Sequence, residues 1–217
     1  MKYDAVLFDF DYTLGDATEA IYTGFVRGFA AMGRPAPDRE AVRSTIGMKV
    51  TEAYTLLTGD TRMEEREKFY SVFHPVARDL QIQGMVDLFP GAVELLESLK
   101  QAGAGVAIVS TKRAETLDAT LKNLGLEELV GCVIGGGRVP TQKPAPEGAW
   151  MALEALGVDG RRALYCGDTV IDAETAKNAG LDFCAVLNGT TPAEAFTDWP
   201  HVHIAPNLVE LKSWLGI

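Results

Sequence analysis

Two aspartates, Asp9 and Asp11, follow the first apolar run of the chain, Ala5–Phe8. Because side chains at alternate positions of an extended segment point to the same side, both carboxylates can approach one small volume. Taken alone, such a pair is more typical of a turn that closes a strand. An EF-hand calcium loop is excluded, because it needs glycine at its sixth position and glutamate at its twelfth, where this sequence has Leu14 and Ala20.

A second pair of carboxylates, Asp168 and Asp172, lies where another apolar run passes into a helical pattern. Residues four apart share one face of a helix, here at its positive end. Four acids in one half-buried site would repel each other strongly unless a cation lay among them. Oxygen ligands and open coordination positions suit Mg²⁺, so we predict a magnesium site that uses Asp9, Asp11, Asp168 and Asp172.

Phosphate chemistry is indicated by Lys143, Ser110 and Thr111. Lys143 precedes Pro144, which disfavours a helical conformation at the lysine, and a stiff loop could direct its ammonium group at the acids. The alternative for any single lysine is a solvated surface position. Ser110 and the amide of Thr111 end an apolar run that leads into a helix, where short donors can hold phosphate oxygens.

The elements that would position these residues are short apolar runs separated by segments of helical periodicity. The runs do not alternate with polar residues, which favours strands buried on both faces of a parallel sheet. They span residues 4–9, 105–110, 131–134, 162–167 and 182–187. The prediction is an α/β fold with a doubly wound parallel sheet, whose ligand site lies beyond the carboxyl ends of the strands.

The segment after the first run differs, because it contains helical patterns in succession and no strand-like run. The helical patterns span residues 17–32, 39–45, 50–57 and 63–80. We therefore expect a catalytic core of residues 1–15 and 85–217 and an inserted all-helical domain of residues 16–84. The insertion would project from the carboxyl edge of the sheet.

Composition narrows the class of protein. The 217 residues include 30 acidic and 20 basic ones, a formal net charge of -10 that disfavours nucleic acid and anionic membrane as partners. The three cysteines lie in apolar runs without metal-site spacing, and we expect them to be core thiols in a reducing compartment. No export signal or long apolar span is evident, so the expectation is a cytoplasmic protein, as a monomer or a homodimer.

Together, these motifs resemble those of the haloacid dehalogenase (HAD) superfamily of phosphatases, whose core is Rossmann-like and which here would carry a helical cap. The matching segments are Asp9 to Thr13, Ser110, Lys143 with Pro144, and Gly167 to Asp172. Similarity to the phosphoglycolate phosphatase-like members rests on Ile46-Gly47-Met48, Phe89-Pro90-Gly91 and Gly135-Gly136-Gly137. One departure is Tyr12, because the family usually has glycine after the second aspartate.

The resemblance implies a hydrolytic mechanism for a small phosphorylated metabolite. Asp9 would attack phosphorus, and Asp11 would act as general acid and base. Mg²⁺ would be held by Asp9, the backbone carbonyl of Asp11, Asp168 and Asp172, the last directly or through water. Lys143, Ser110 and Thr111 would hold the phosphoryl oxygens, while the cap would read the rest of the substrate.

Several alternatives use the same scaffold. A phosphomutase of the beta-phosphoglucomutase type and a pyrophosphatase stay open. A dehalogenase is disfavoured because that chemistry does not need Asp11, and a phosphonate hydrolase is disfavoured for the same residue. A catalytically inactive binding module would have eroded motifs, whereas all of them are intact. Candidates to bind a second anionic group are Arg43, Lys49, Lys112 and Arg113, although solvated charges are more typical at such positions.

Overall fold

The computed structural model describes residues 2–217, and the chain forms two compact units. One unit runs to Asp16 and resumes over Leu88–Ile217, and the other spans Ala17–Asp87. The sequence analysis placed the divisions after residues 15 and 84, close to these boundaries. Each unit is described by itself below.

The first unit is built on a parallel sheet of six strands. The strands of the chain are β1 (Ala5–Phe8), β2 (Gly15–Asp16), β3 (Asp87–Leu88), β4 (Gly105–Arg113), β5 (Cys132–Gly136), β6 (Ala163–Gly167), β7 (Asp182–Val186) and β8 (His203–Ala205). The six-stranded sheet has the order β5-β4-β1-β6-β7-β8, and its neighbouring pairs are parallel. This confirms the predicted α/β class. The sixth strand, β8, was not predicted, because three residues that begin with a histidine give no apolar run.

Helices cover both faces of that sheet. The helices of the chain are α1 (Thr18–Ala31), α2 (Arg39–Arg43), α3 (Val50–Thr58), α4 (Met63–Ile82), α5 (Ala92–Gln101), α6 (Ala114–Asn123), α7 (Glu147–Leu156), α8 (Val170–Ala179) and α9 (Leu208–Leu215). Leu7 of β1 packs in one core cluster with Ala152 of α7 and Ala173 of α8. Its neighbours Val6 and Phe8, which point to the opposite face, are also fully buried. Burial on both faces explains why β1 is a continuous apolar run.

Strand β1 is central, and its register fixes where the neighbouring strands end. Phe8 is paired with Ile108 of β4 and with Cys166 of β6. The residues that follow these positions therefore emerge at one edge of the sheet. Asp9 and Asp168 are among them.

The pairing of β4 with β5 is irregular at this same edge. Val109 pairs with Ile134, but Arg113 pairs with Gly136, so β4 uses more residues than β5 over this interval. A Cβ atom on Gly135 would lie 2.6 Å from the carbonyl oxygen of Lys112. Glycine is therefore required there for close packing of two backbones, which accounts for part of the glycine run of residues 135–137.

The second unit comprises α1 to α4 around an aromatic core. Tyr54 of α3 stacks on Phe69 of α4 with ring centroids 4.8 Å apart, and Phe25 of α1 meets Phe73 edge-on at 5.0 Å. Such pairs add to the stability that burial provides. Among the described residues, no helix combines the length and apolar character needed to cross a bilayer.

Gly28 of α1 permits the close approach of α4. A Cβ atom on Gly28 would lie 2.5 Å from Cε2 of Phe69, too near for any contact without movement of the ring. Gly28→Ala should therefore lower the free energy of unfolding of this unit by about 1–3 kcal/mol, even though alanine favours a helix by about 1 kcal/mol. Urea denaturation followed by circular dichroism would measure this change in the free energy of unfolding. The control is Ala30→Gly at an exposed position of the same helix, which should cost only about 1 kcal/mol. Increased stability of the Gly28→Ala protein would contradict this packing.

Candidate active site

Three carboxylates meet at the carboxyl edge of the sheet. Asp9 follows β1, Asp168 follows β6, and Asp172 lies in the first turn of α8. All three are buried, and one oxygen of each lies within 4.8 Å of those of the other two. The strand ends thus bring together three of the four acids that were predicted to form the magnesium site. The carboxylate of Asp11 is not part of this group.

Lys143 supplies positive charge to the group. Its Nζ lies 2.6 Å from Oδ1 of Asp172 and 3.1 Å from Oδ1 of Asp9. The lysine is buried, so the alternative of a solvated surface lysine is wrong for Lys143. Burial alone would lower its pKa, but the carboxylates of Asp172 and Asp9 raise the pKa of Lys143 well above its usual value. The lysine is therefore a permanent cation in this site.

Both oxygens of Asp172 already accept hydrogen bonds. Oδ1 accepts from Lys143, while Oδ2 accepts from the hydroxyl of Thr169 at 2.6 Å and from its amide at 3.1 Å. The Thr169 side chain in turn accepts from the Asp172 amide, which forms a capping box at the start of α8. The hydroxyl of Tyr165 lies 3.5 Å from Oδ1. Asp172 therefore anchors Lys143 to the beginning of α8. Thr169 and Tyr165 lie in segments that the sequence analysis named, but they were not among the predicted site residues.

Burial and neighbouring negative charge raise the pKa values of the other two acids, Asp9 and Asp168. Burial raises the pKa of Asp9 to about 6, with Lys143 opposing and Asp172 adding to the rise. Burial also raises the pKa of Asp168 well above its usual range, and the charges on Asp172 and Asp9 reinforce this. The hydroxyl of Thr13 donates to Oδ1 of Asp168 at 3.2 Å. One lysine therefore does not neutralise the three acids.

Asp11 has a different partner, Lys112. The Nζ of Lys112 lies 2.7 Å from Oδ1 of Asp11, and the two side chains are only 8% and 10% exposed. The sequence analysis treated Lys112 as more typically a solvated charge, which is wrong. No apolar pattern identified it, because its orientation depends on the irregular pairing of β4 with β5.

Ser110 and Thr111 lie in β4, the strand that pairs with β1. The Ser110 hydroxyl lowers the pKa of Asp9 as a hydrogen-bond donor, and its Oγ accepts from the amide of Lys112 at 3.3 Å. Ser110 is buried and Thr111 is half-buried. Their binding of a phosphoryl group stays a prediction.

Tyr12 has a left-handed backbone, with φ of 58°, in the turn after Asp11. This conformation explains why glycine is usual at that position, since a side chain there costs about 1–2 kcal/mol. The Tyr12 amide donates to the carbonyl of Gly15 at 2.8 Å, and the side chain is buried. The turn is thus closed by a backbone hydrogen bond, and the aromatic ring fills space that glycine would leave open.

The carboxylate group fits a divalent cation. The donors are all oxygens, and they converge within 4.8 Å. Burial, with the neighbouring carboxylates, raises the pKa values of two of these acids, Asp9 and Asp168. In addition, Oδ1 of Asp9 is buried and accepts no hydrogen bond from the described residues, although Lys143 is near. A cation held by Asp9 and Asp168 would remove these costs.

Comparison with known proteins agrees with this chemistry. The family model described as haloacid dehalogenase-like hydrolase matches residues 6–186. The chain belongs to this family. The resemblance inferred from the motifs is thus confirmed, and the expectation that the protein is a hydrolase is confirmed with it.

Relatives of this hydrolase span nearly its full length. A phosphoglycolate phosphatase of Rhodobacter capsulatus is 33% identical, with 97% of this chain and 98% of that protein covered. Pyrophosphatase PpaX of Bacillus velezensis is 31% identical, with 100% and 98% covered. A crystal structure from Bacteroides fragilis, described as a haloacid dehalogenase-like hydrolase, superposes with a TM-score of 0.91 at 33% identity, covering 97% of this chain and 100% of that one.

Cation binding should depend on pH. The pKa of Asp9 rises from 3.8 to about 6 on folding, so the metal-free protein binds this proton more tightly when folded and loses stability as pH rises through about 6. A cation requires the carboxylate and competes with the proton. The increase in Tm caused by a fixed concentration of Mg²⁺ should therefore be larger near pH 7 than near pH 5, as measured by differential scanning fluorimetry. Asp168→Asn should reduce the increase, and equal increases at both pH values would contradict the assignment.

Gly189 leaves the space in which the Asp168 carboxylate lies. A Cβ atom at this position would be 2.1 Å from Oδ2 of Asp168. Gly189→Ala should push the carboxylate aside and raise the Mg²⁺ concentration needed for half-maximal stabilisation by about 10–100-fold. A Mg²⁺ titration of Tm measures this, with the exposed neighbour Thr190→Ala as control. Equal Mg²⁺ requirements for both variants would argue against the packing of Gly189 on Asp168.

Proposed function

We propose that this protein is a Mg²⁺-dependent phosphatase that hydrolyses a small phosphate monoester, of the phosphoglycolate type, through an aspartyl-phosphate on Asp9. The observation that carries the proposal is the buried group of Asp9, Asp168 and Asp172, with Lys143 beside Asp9 and Asp172. Such a site has an excess of negative charge, and a cation bound there would offset both that charge and the charge of a phosphoryl group. The names of the relatives support the same class of reaction.

The reaction would proceed in two displacements at phosphorus. In the first, a carboxylate oxygen of Asp9 forms a bond to phosphorus while the bond to the ester oxygen breaks, and Asp11 gives a proton to the departing oxygen. In the second, Asp11 takes a proton from water, whose oxygen attacks phosphorus and releases Asp9 and inorganic phosphate. The raised pKa of Asp9 reflects how poorly this carboxylate is stabilised in the metal-free site.

Other side chains hold the participants in place. Lys143 would bind a phosphoryl oxygen while its contact with Asp172 keeps the ammonium group beside Asp9. Ser110 and the amide of Thr111 would donate to the remaining oxygens. Asp172 would orient the lysine and contribute to the cation site directly or through water.

Mg²⁺ would be held by Asp9, Asp168 and the backbone carbonyl of Asp11. When bound, it supplies positive charge against the negative charge that collects on the phosphoryl oxygens. The two acids it would contact are those whose pKa values are raised.

The helical unit Ala17–Asp87 is assigned the recognition of the ester group. It is inserted directly after the turn that follows Asp9 and Asp11, so the chain enters it from the site and returns to the core at Leu88. Helical insertions of this kind serve as lids that exclude water.

Pyrophosphate is the second candidate substrate. The pyrophosphatases of two Bacillus species are 31% identical over nearly the same length as the phosphoglycolate phosphatase match. A comparison of kcat/KM for phosphoglycolate, pyrophosphate, sugar phosphates and nucleotides would decide between the classes. Transfer between sugar positions without release of phosphate would instead indicate a mutase.

Removal of the nucleophile should abolish turnover. Asp9→Asn should leave no measurable hydrolysis of an aryl phosphate, because an amide oxygen does not form the covalent intermediate, and Asp11→Asn should lower the rate by about 10²–10⁴-fold. Phosphate release in Mg²⁺ and in EDTA measures both. The control Asp198→Asn changes an exposed acid. Activity that survives Asp9→Asn, or that persists in EDTA, would refute the proposed function.

A further inference from the structure

The contact between Lys112 and Asp11 has no role in the mechanism above. Its geometry is that of an enclosed pair, with Nζ 2.7 Å from Oδ1 and side chains 8% and 10% exposed. A surface ion pair contributes little, whereas an enclosed pair restricts both side chains strongly. The Lys112 ammonium also lies 4.9 Å from the centre of the Phe10 ring, which limits its freedom further. Lys112 thus holds one oxygen of the Asp11 carboxylate in a fixed position.

The backbone that carries Lys112 is itself constrained. At the irregular end of β4, Gly135 and Gly136 of β5 pack closely against the carbonyl oxygens of Lys112 and Thr111. The Lys112 amide donates to Oγ of Ser110 at 3.3 Å. The close packing at the strand irregularity therefore fixes the backbone from which the Lys112 side chain extends.

The two lysines, Lys143 and Lys112, contact different acids. Lys143 contacts Asp9 and Asp172, while Lys112 contacts Asp11. The acid assigned to attack phosphorus and the acid assigned to move protons are thus held by different cations. This allows the position of Asp11 to be altered without removing the cation beside Asp9.

We propose that Lys112 is a positioning residue that directs the Asp11 carboxyl group at the departing oxygen of the substrate. The inference rests on the proposed function. Lys112 holds Oδ1 and leaves Oδ2 to exchange the proton: as the bond from phosphorus to the ester oxygen breaks, the proton passes from Oδ2 to that oxygen, and in hydrolysis of the intermediate a proton returns from water to Oδ2. Lys112 keeps all its own protons throughout.

The consequence is a dependence on the leaving group. An aryloxide with electron-withdrawing substituents departs without a proton, whereas an alkoxide needs one. Loss of Lys112 should therefore lower kcat/KM, which reports the step that releases the ester oxygen, far more for alkyl phosphates than for activated aryl phosphates. Hydrolysis of the intermediate is common to all esters and does not enter kcat/KM. A purely structural role of Lys112 would lower kcat/KM for all esters alike.

The test compares kcat and kcat/KM over a series of phosphate esters, from nitrophenyl to simple alkyl, for the wild type, Lys112→Met, Lys112→Arg and Asp11→Asn. Lys112→Met should lose about 10–100-fold in kcat/KM on alkyl esters, a part of the general-acid contribution, and much less on nitrophenyl phosphate. Lys112→Arg should recover part of the loss because it keeps a charged donor. The exposed Lys122→Met on α6 is the control.

A double variant separates positioning from other roles. If Lys112 acts through Asp11, then Asp11→Asn combined with Lys112→Met should be no slower on alkyl esters than Asp11→Asn alone. A uniform loss of kcat/KM over the ester series would overturn the proposal. An increase in KM confined to substrates with a second anionic group, at unchanged kcat, would overturn it as well. If instead Asp11→Asn itself leaves the alkyl rates unchanged, the proposed acid-base function fails; if only Asp11→Asn causes the loss, the Lys112 assignment alone fails.

Discussion

The confinement of three carboxylates around one lysine, away from water, is the constraint on which this structure depends. Asp9, Asp168 and Asp172 are buried near Lys143, and burial raises the pKa values of Asp9 and Asp168, with the neighbouring carboxylates adding to the rise. A buried pair broken by the loss of one partner costs several kcal/mol, so the chain must hold every member firmly. A site with this excess of negative charge is suited to a divalent cation, whose charge would also offset that of a phosphoryl group.

Strand ends and a helix cap hold the members of this buried group in place. The parallel register of β1 with β4 and β6 delivers Asp9 and Asp168 to one edge. The capping box of α8 fixes Asp172, which in turn fixes Lys143. Glycines at contact points, such as Gly189 beside Asp168, remove the side chains that would displace these groups. The fold and the site are therefore determined by the same set of contacts.

Sequence patterns predict much of the fold and of the candidate site, and they fail at identifiable places. Continuous apolar runs indicated a parallel sheet, and the rule that ligand sites lie at strand ends brought Asp9, Asp168 and Lys143 together correctly. The pairing of Lys112 with Asp11 could not be inferred, because it depends on a register irregularity that leaves no periodic signal. The short strand β8 was not predicted for a related reason, since three residues are too few to show a hydrophobic pattern. Tertiary contacts, which sequence spacing does not encode, decide these cases.

The central claim is that Asp9 carries the phosphoryl group during turnover. Acid quenching of a single turnover in the presence of Mg²⁺, followed by mass spectrometry of the peptide that contains Asp9, tests it most directly. The account predicts a transient phosphoryl group on Asp9 that forms and decays at rates able to support kcat, because both displacements occur at phosphorus. Release of phosphate without any phosphorylated Asp9, or a phosphoryl group on another residue that forms and decays at those rates, would contradict it.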